Sequence, residues 1–227
     1  MADTPLRIVF ALFPGVTQLD FTGPHQVLSR LPGANVIAAS AKGGAIETDG
    51  LTFAALVRLG DINACDVICV PGGAGTTEAM ADGDYMGEVK RLAGGARFVT
   101  SVCTGSLILG AAGLLKGKRA ACHWASRDLL TLFGAIPDAG RVVRDGNVIT
   151  GGGVTAGIDF ALTLAAELAG PLIAQSIQLA LEYAPAPPFD AGRPESAPPE
   201  VLARVQALNA KFMPQRRAAA ERAAGLI

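Results

Sequence analysis

Charge, aromatic rings and histidine are all scarce in this 227-residue chain. Charged side chains make up 17% of it and aromatics 5%, where ordinary globular proteins carry about 25% charged residues. The 19 Lys and Arg against 20 Asp and Glu leave a net charge of −1, which excludes a strongly basic nucleic-acid binder and an acidic disordered solubiliser alike. No apolar run reaches the roughly 18 uninterrupted residues that a membrane span needs. The longest candidate, Ile158 to Leu168, is broken by Asp159, Thr163 and Glu167. A basic leader is also missing: MADTPLRIVFALFPG reads as a first core strand and implies a cytoplasmic protein. Cys65, Cys69, Cys103 and Cys122 have neither the number nor the spacing of a disulfide framework or a zinc site. The two histidines, His25 and His123, do not adjoin Cys103.

Apolar residues, at 50%, and glycine, at 28 positions, are abundant, which suits a well-buried chain with tight strand-to-helix turns. Apolar runs alternate with helical patterns as far as Tyr183, the signature of βαβ units. The expectation is an α/β sandwich over residues 1–227, a single domain with a mostly parallel sheet and helices on both faces. Strands are predicted at Arg7 to Leu12, Asn35 to Ser40, Asp66 to Val70 and Phe98 to Val102, with a hairpin about Asp145-Gly146. Helices are predicted from Thr22 as cap to Arg30, then at 77–81, 85–93, 105–113, 125–133, 155–169 and 172–182. Six prolines make 184–199 an extended strap. In the following segment, 200–227, Val201, Val205, Leu208 and Phe212 predict a C-terminal helix packed by one face.

Four places could carry chemistry. In Ser101-Val102-Cys103-Thr104-Gly105-Ser106 a buried strand ends at a cysteine and a small-residue helix begins at once, the layout of a nucleophile elbow. A thiol there faces unpaired helix amides, which favour thiolate; otherwise Cys103 is a small core residue. Asp20, between Leu19 and Phe21, is either a desolvated proton carrier or a helix cap. Gly72-Gly73-Ala74-Gly75 follows a strand and offers amides to a developing anion, or is a bare βα turn. Thr150 to Ala156 fits G-x-G-x-x-A, but no acidic residue follows between Gly170 and Leu181, which speaks against a dinucleotide site. His123 beside Trp124 is a core histidine or a base, and Tyr183 closes a pocket or packs.

The PGG after a strand, VCTGS, and GAAGLLKGKRAACHW resemble the ThiJ/PfpI superfamily over nearly the whole chain. QLDFTGPHQVL, TSVCTGSLILGAAGLL, GGGVTAGIDFALTLAAEL and LEYAPAPPFDAG are similar to its isocyanide hydratase (isonitrile hydratase) branch. The resemblance implies a flavodoxin-like fold, Cys103 as nucleophile, Asp20 as the acid beside its sulfur and Thr104 in support. It implies the Gly72 and Gly73 amides beside the site, and His123 and Trp124 are added as candidate substrate-side residues. A homodimer, an isonitrile substrate, no metal and no organic cofactor are implied too. Thr104 stands where protease-like members carry His, which argues against their dyad, and Asp20 stands where aldehyde-acting members tend to carry Glu. A redox sensor and a glyoxalase-like aldehyde hydratase remain as alternatives. The sensor half of AraC-type regulators is also similar, but the final 40 or so residues are too few for a paired DNA reader.

Overall fold

The computed structural model describes residues 5–225, so the extreme ends of the expected 1–227 domain and the last two positions of the 200–227 segment lie outside the described residues. LRIVFAL forms β1 (Leu6–Leu12), followed by α1 (Gln18–Leu28), β2 (Ala34–Ser40), β3 (Gly44–Thr48) and β4 (Leu51–Arg58). Next come β5 (Val67–Val70), α2 (Thr76–Ala79), α3 (Gly83–Gly95), β6 (Phe98–Val102) and α4 (Gly105–Ala111). The second half holds β7 (Arg119–Ala120), a 3-10 stretch at Arg127–Phe133, β8 (Ile136–Pro137), β9 (Val142–Asp145) and β10 (Val148–Gly151). Four helices finish the chain: α5 (Ala156–Ala169), α6 (Pro171–Ala180), α7 (Pro199–Asn209) and α8 (Met213–Ala224).

Eight strands form one sheet in the order β3-β4-β2-β1-β5-β6-β10-β9. It is parallel from β4 to β10, with antiparallel pairs only at its two edges. Every residue of β5, β6 and β10 is buried, which is why these strands read as unbroken apolar or small-residue runs. The strand order reverses at β1: β2 lies on one side and β5 on the other. Right-handed crossovers therefore send α1 and α3 to opposite faces. The switch point therefore lies between β1 and β5, and the crevice at the carboxyl ends of strands beside such a point is where α/β sheets bind ligands.

Four expectations need correction. Thr22 does not cap α1; the helix starts after Thr17 and carries Pro24 inside it. Tertiary packing outweighs the missing amide, because Pro24 seats on Gly157 of α5, where a Cβ would stand 3.0 Å from its ring. The β3-β4 hairpin was not anticipated, although it turns on Asp49-Gly50 with φ of 48° and 77°, the same Asp-Gly signal that marked the second hairpin. The stretch read as a helix over 125–133 is a 3-10 turn that stops at Gly134, φ 70°. At the C-terminus, α7 buries none of its residues, and Val205 and Leu208 stay 37% and 52% exposed. The packed helix is α8, through Ala219, Ala220 and Ala223, whose small side chains allow close approach without a conspicuous apolar stripe.

Candidate active site

β6 ends at Val102 and α4 begins at Gly105, so the chain must reverse within two residues. Cys103 does so at φ 58°, a left-handed conformation that costs a non-glycine residue about 1 kcal/mol or more. The surroundings hold it there. Its amide donates to the Gly151 carbonyl at 3.0 Å, so the TGGGVTA turn serves the elbow and the sheet. Gly105 lies so close to β5 that a Cβ would stand 2.0 Å from the Val70 carbonyl oxygen.

Asp20, in the first turn of α1, is fully buried at the crevice. Its Oδ2 accepts from the Gly72 amide at 3.0 Å, its side chain interacts with the Cys103 thiol, and its Oδ1 has no hydrogen-bond partner. The carboxyl therefore does not cap α1. Thr104 Oγ1 accepts from the Gly73 amide at 3.0 Å and shares a hydrogen bond with Thr76 Oγ1 at 2.8 Å. Both glycine amides are thus engaged by protein groups, which corrects the expectation that Gly72 and Gly73 stay free for an anion. Their lack of a side chain matters for packing: a Cβ on Gly72 would stand 2.4 Å from the Thr104 amide nitrogen, and one on Gly73 would stand 2.3 Å from the Gly15 carbonyl oxygen.

Burial pushes Asp20 from 3.8 up to about 7, against the opposing hydrogen bonds from Cys103 and Gly72. The Cys103 thiol is pushed well above its ordinary value, first by burial, then by the Asp20 charge and by Cys122, with the Thr104 amide opposing. The expected thiolate at the helix end is therefore not the resting form. α4 has only seven residues, and desolvation of a side chain 4% exposed outweighs its short dipole. Above about pH 7 the pair holds a single proton, on the sulfur, with Asp20 ionised to receive it.

A cavity of about 360 Å³ opens onto Cys103 and Thr104, with His123, Asn209, Phe212 and Arg216 in its walls. His123 reaches this site, neutral because burial and then the Arg216 charge lower its pKa. Trp124 does not. It lines a neighbouring space beneath the strap, beside Gly192 and Arg193. Tyr183 donates to Asp159 Oδ2 at 3.1 Å on α5 and is not in the Cys103 cavity. Cys65, Cys69 and Cys122 are buried, with thiols pushed up to about 11, 12 and 12, in each case first by burial. Asn209 and Arg216 were missed from sequence, since the 201–212 helix was read for its apolar face and the Arg-Ala-rich stretch after it has no apolar periodicity. Among the described residues, no group of three or more His, Cys, Asp or Glu is placed to hold a metal ion, and no helix is long and apolar enough to cross a membrane.

Comparison with known proteins gives a consistent result. The family model for the DJ-1/PfpI family matches residues 6–167. An isonitrile hydratase of Pseudomonas putida is 53% identical over 220 residues, 96% of each chain. A ThiJ/PfpI family protein of known structure from Pseudomonas syringae superposes with a TM-score of 0.92 at 42% identity, covering 95% of this chain and 90% of that one. Drosophila melanogaster DJ-1beta superposes with a TM-score of 0.71 at 27% identity, over 80% of this chain and all of that one. The family model spans most of the chain and the superposition on the Pseudomonas syringae protein is nearly complete, so the chain belongs to the DJ-1/PfpI family.

Proposed function

We propose that this protein is an isonitrile hydratase that adds water to an isonitrile and releases an N-substituted formamide. The near full-length likeness to the Pseudomonas putida enzyme carries the reading, and the buried Cys103-Asp20 pair supports it. An isonitrile has a terminal carbon and no leaving group, so it calls for a soft nucleophile with a proton carrier beside it. Cys103 sulfur bonds to that carbon while its proton passes to Asp20 and on to the same carbon, giving a thioimidate. Asp20 then takes a proton from the attacking water and gives it to nitrogen. Collapse of the adduct forms the carbonyl, breaks the carbon-sulfur bond and returns the hydroxyl proton through Asp20 to sulfur. One water is added and the cysteine is restored.

Thr104, fixed by Gly73 and Thr76, keeps the floor of the cavity in register with the nucleophile. The buried, protonated thiol speaks against a redox sensor, which depends on an accessible thiolate. We further infer a single-domain, cytoplasmic protein that works as a homodimer. Leu172, Leu179 and Phe189, exposed by 76%, 81% and 79%, are apolar surface that a second copy would cover. Turnover of an aryl isonitrile to its formamide, beside methylglyoxal as competing substrate, tests the assignment. Formamide from the wild type and none from Cys103→Ala is expected; turnover of the aldehyde alone would replace it with the aldehyde hydratase reading.

A further inference from the structure

Among the described residues, three buried polar side-chain atoms have no hydrogen-bond partner: Asp20 Oδ1, Asn209 Nδ2 and Arg216 Nε. Asp20 belongs to the chemistry. The other two line the same cavity from the C-terminal helix pair, which mechanism does not otherwise require. Arg216 is 8% exposed. It donates from Nη1 to Ser126 Oγ at 3.2 Å and from Nη2 to the Gly73 carbonyl at 3.1 Å, which leaves most of its five N–H donors open. No carboxylate lies within ion-pair distance of it among the described residues. Glu78, also on the cavity wall, is exposed, so its charge is screened by water. A buried guanidinium with no counter-ion is costly to keep. It is held there, against the Phe212 ring at 5.5 Å, by a helix whose alanines fix it to the body.

An anion delivered by the substrate would complete this arrangement. We propose that Arg216 and Asn209 form the substituent end of the cavity and select isonitriles that bear a carboxylate on the substituent. The inference rests on the hydratase reading for the reaction and on the unpaired donors for the selectivity. The isonitrile group is rigid and linear, so a substrate that approaches Cys103 by its terminal carbon projects its substituent away from sulfur, toward the other walls of a cavity of about 360 Å³. A planar guanidinium pairs with a carboxylate through two parallel hydrogen bonds, and the Asn209 amide supplies a third donor.

The test compares isocyanoacetate with its methyl ester, which keeps the reacting group and removes the charge. Wild-type kcat/KM should favour the acid by about tenfold or more, the scale of a charge-assisted pair. In Arg216→Gln the ratio should fall toward one, mainly through KM for the acid. Arg216→Lys should recover part of it. Asn209→Asp, which puts a like charge beside the substituent, should lower the preference for the acid. An unchanged ratio in Arg216→Gln, including an equal loss on both substrates as expected if the guanidinium only assisted the thiol, would overturn the inference while leaving the hydratase reading intact. If wild type turns over neither compound nor an aryl isonitrile, the hydratase reading fails. The anion site is then decided by binding: N-formylglycine should raise the melting temperature of Cys103→Ala more than its methyl ester does, and equal shifts would overturn the proposal.

Discussion

The Gly72 amide donates to Asp20 Oδ2 at 3.0 Å, across 52 residues of sequence. The contact joins the first turn of α1 to the loop that leaves β5, and it holds the carboxyl where its charge acts on the Cys103 thiol. A side chain at 72 would stand 2.4 Å from the Thr104 amide nitrogen and 3.0 Å from Asp20 Oδ2, and the backbone atom of that pair has nowhere to go.

Gly72→Ala should therefore displace both Asp20 and the elbow. Turnover should fall by 10²-fold or more, because misplacement by about 1 Å is enough for that. Stability should drop by roughly 1 to 3 kcal/mol, the range for overpacking. Steady-state kinetics beside urea unfolding separates this from simple misfolding: a folded Gly72→Ala protein with near wild-type turnover would show that the Asp20 geometry is unimportant.

Among the four cysteines only Cys103 stands at positive φ in the crevice. Cys103→Ala should abolish turnover. Cys65→Ala, Cys69→Ala and Cys122→Ala should keep most of it and lose roughly 1 to 2 kcal/mol of stability, since each leaves a small void in a packed interior. Loss of turnover in folded Cys122→Ala would instead assign that thiol a part in the chemistry, because it lies close enough to raise the Cys103 pKa.

The elbow was legible in sequence because its constraints are local: a buried strand, a small-residue helix and a glycine where the backbones touch all lie within six residues. Asp20 was legible for a similar reason, as a lone carboxylate walled by Leu19 and Phe21. What sequence could not show is long-range. Arg216 meets the Gly73 carbonyl across 143 residues, and an Arg-Ala-rich stretch has no periodic apolar signal to mark one arginine as buried. The resting state of the thiol escaped for an energetic reason. Sequence reveals the helix end that favours thiolate, whereas the depth of burial that opposes it depends on packing from the whole fold. The β3-β4 hairpin is different, since Asp49-Gly50 was a readable turn.

Light scattering should report a dimer at micromolar concentration. Replacing Leu172 and Leu179 together with Glu should shift the protein toward monomer if the exposed apolar side chains of α6 are part of the contact. A wild-type monomer at that concentration would remove the homodimer from the account.

Asp20→Asn gives the sharpest test, because carriage of a proton and structural support predict opposite results. Asn keeps an oxygen to accept from Gly72 and nearly the same volume, but it cannot take a proton. Turnover should fall by about 10²-fold or more. Removing the Asp20 charge also removes one of the influences that raise the Cys103 pKa, so alkylation of Cys103 by iodoacetamide at pH 8 should be no slower than in wild type. Stability should move with pH in a definite direction. Asp20 titrates at about 7 in the folded protein, against an ordinary value of 3.8. The folded state therefore binds the proton more tightly than the unfolded chain, and this contribution, complete below pH 4, is lost as pH rises through 7. The full difference is on the order of 4 kcal/mol. Asp20→Asn should gain stability relative to wild type between pH 5 and pH 8, as read from chemical unfolding at each pH. The wild-type kcat/KM should rise through the same region and level off above pH 7, because the competent Cys103-Asp20 pair holds a single proton and the doubly protonated form is inactive. A pH-independent stability difference, together with turnover near the wild-type rate, would transfer the proton step to another group, and His123, which lines the same cavity, would be the first to replace.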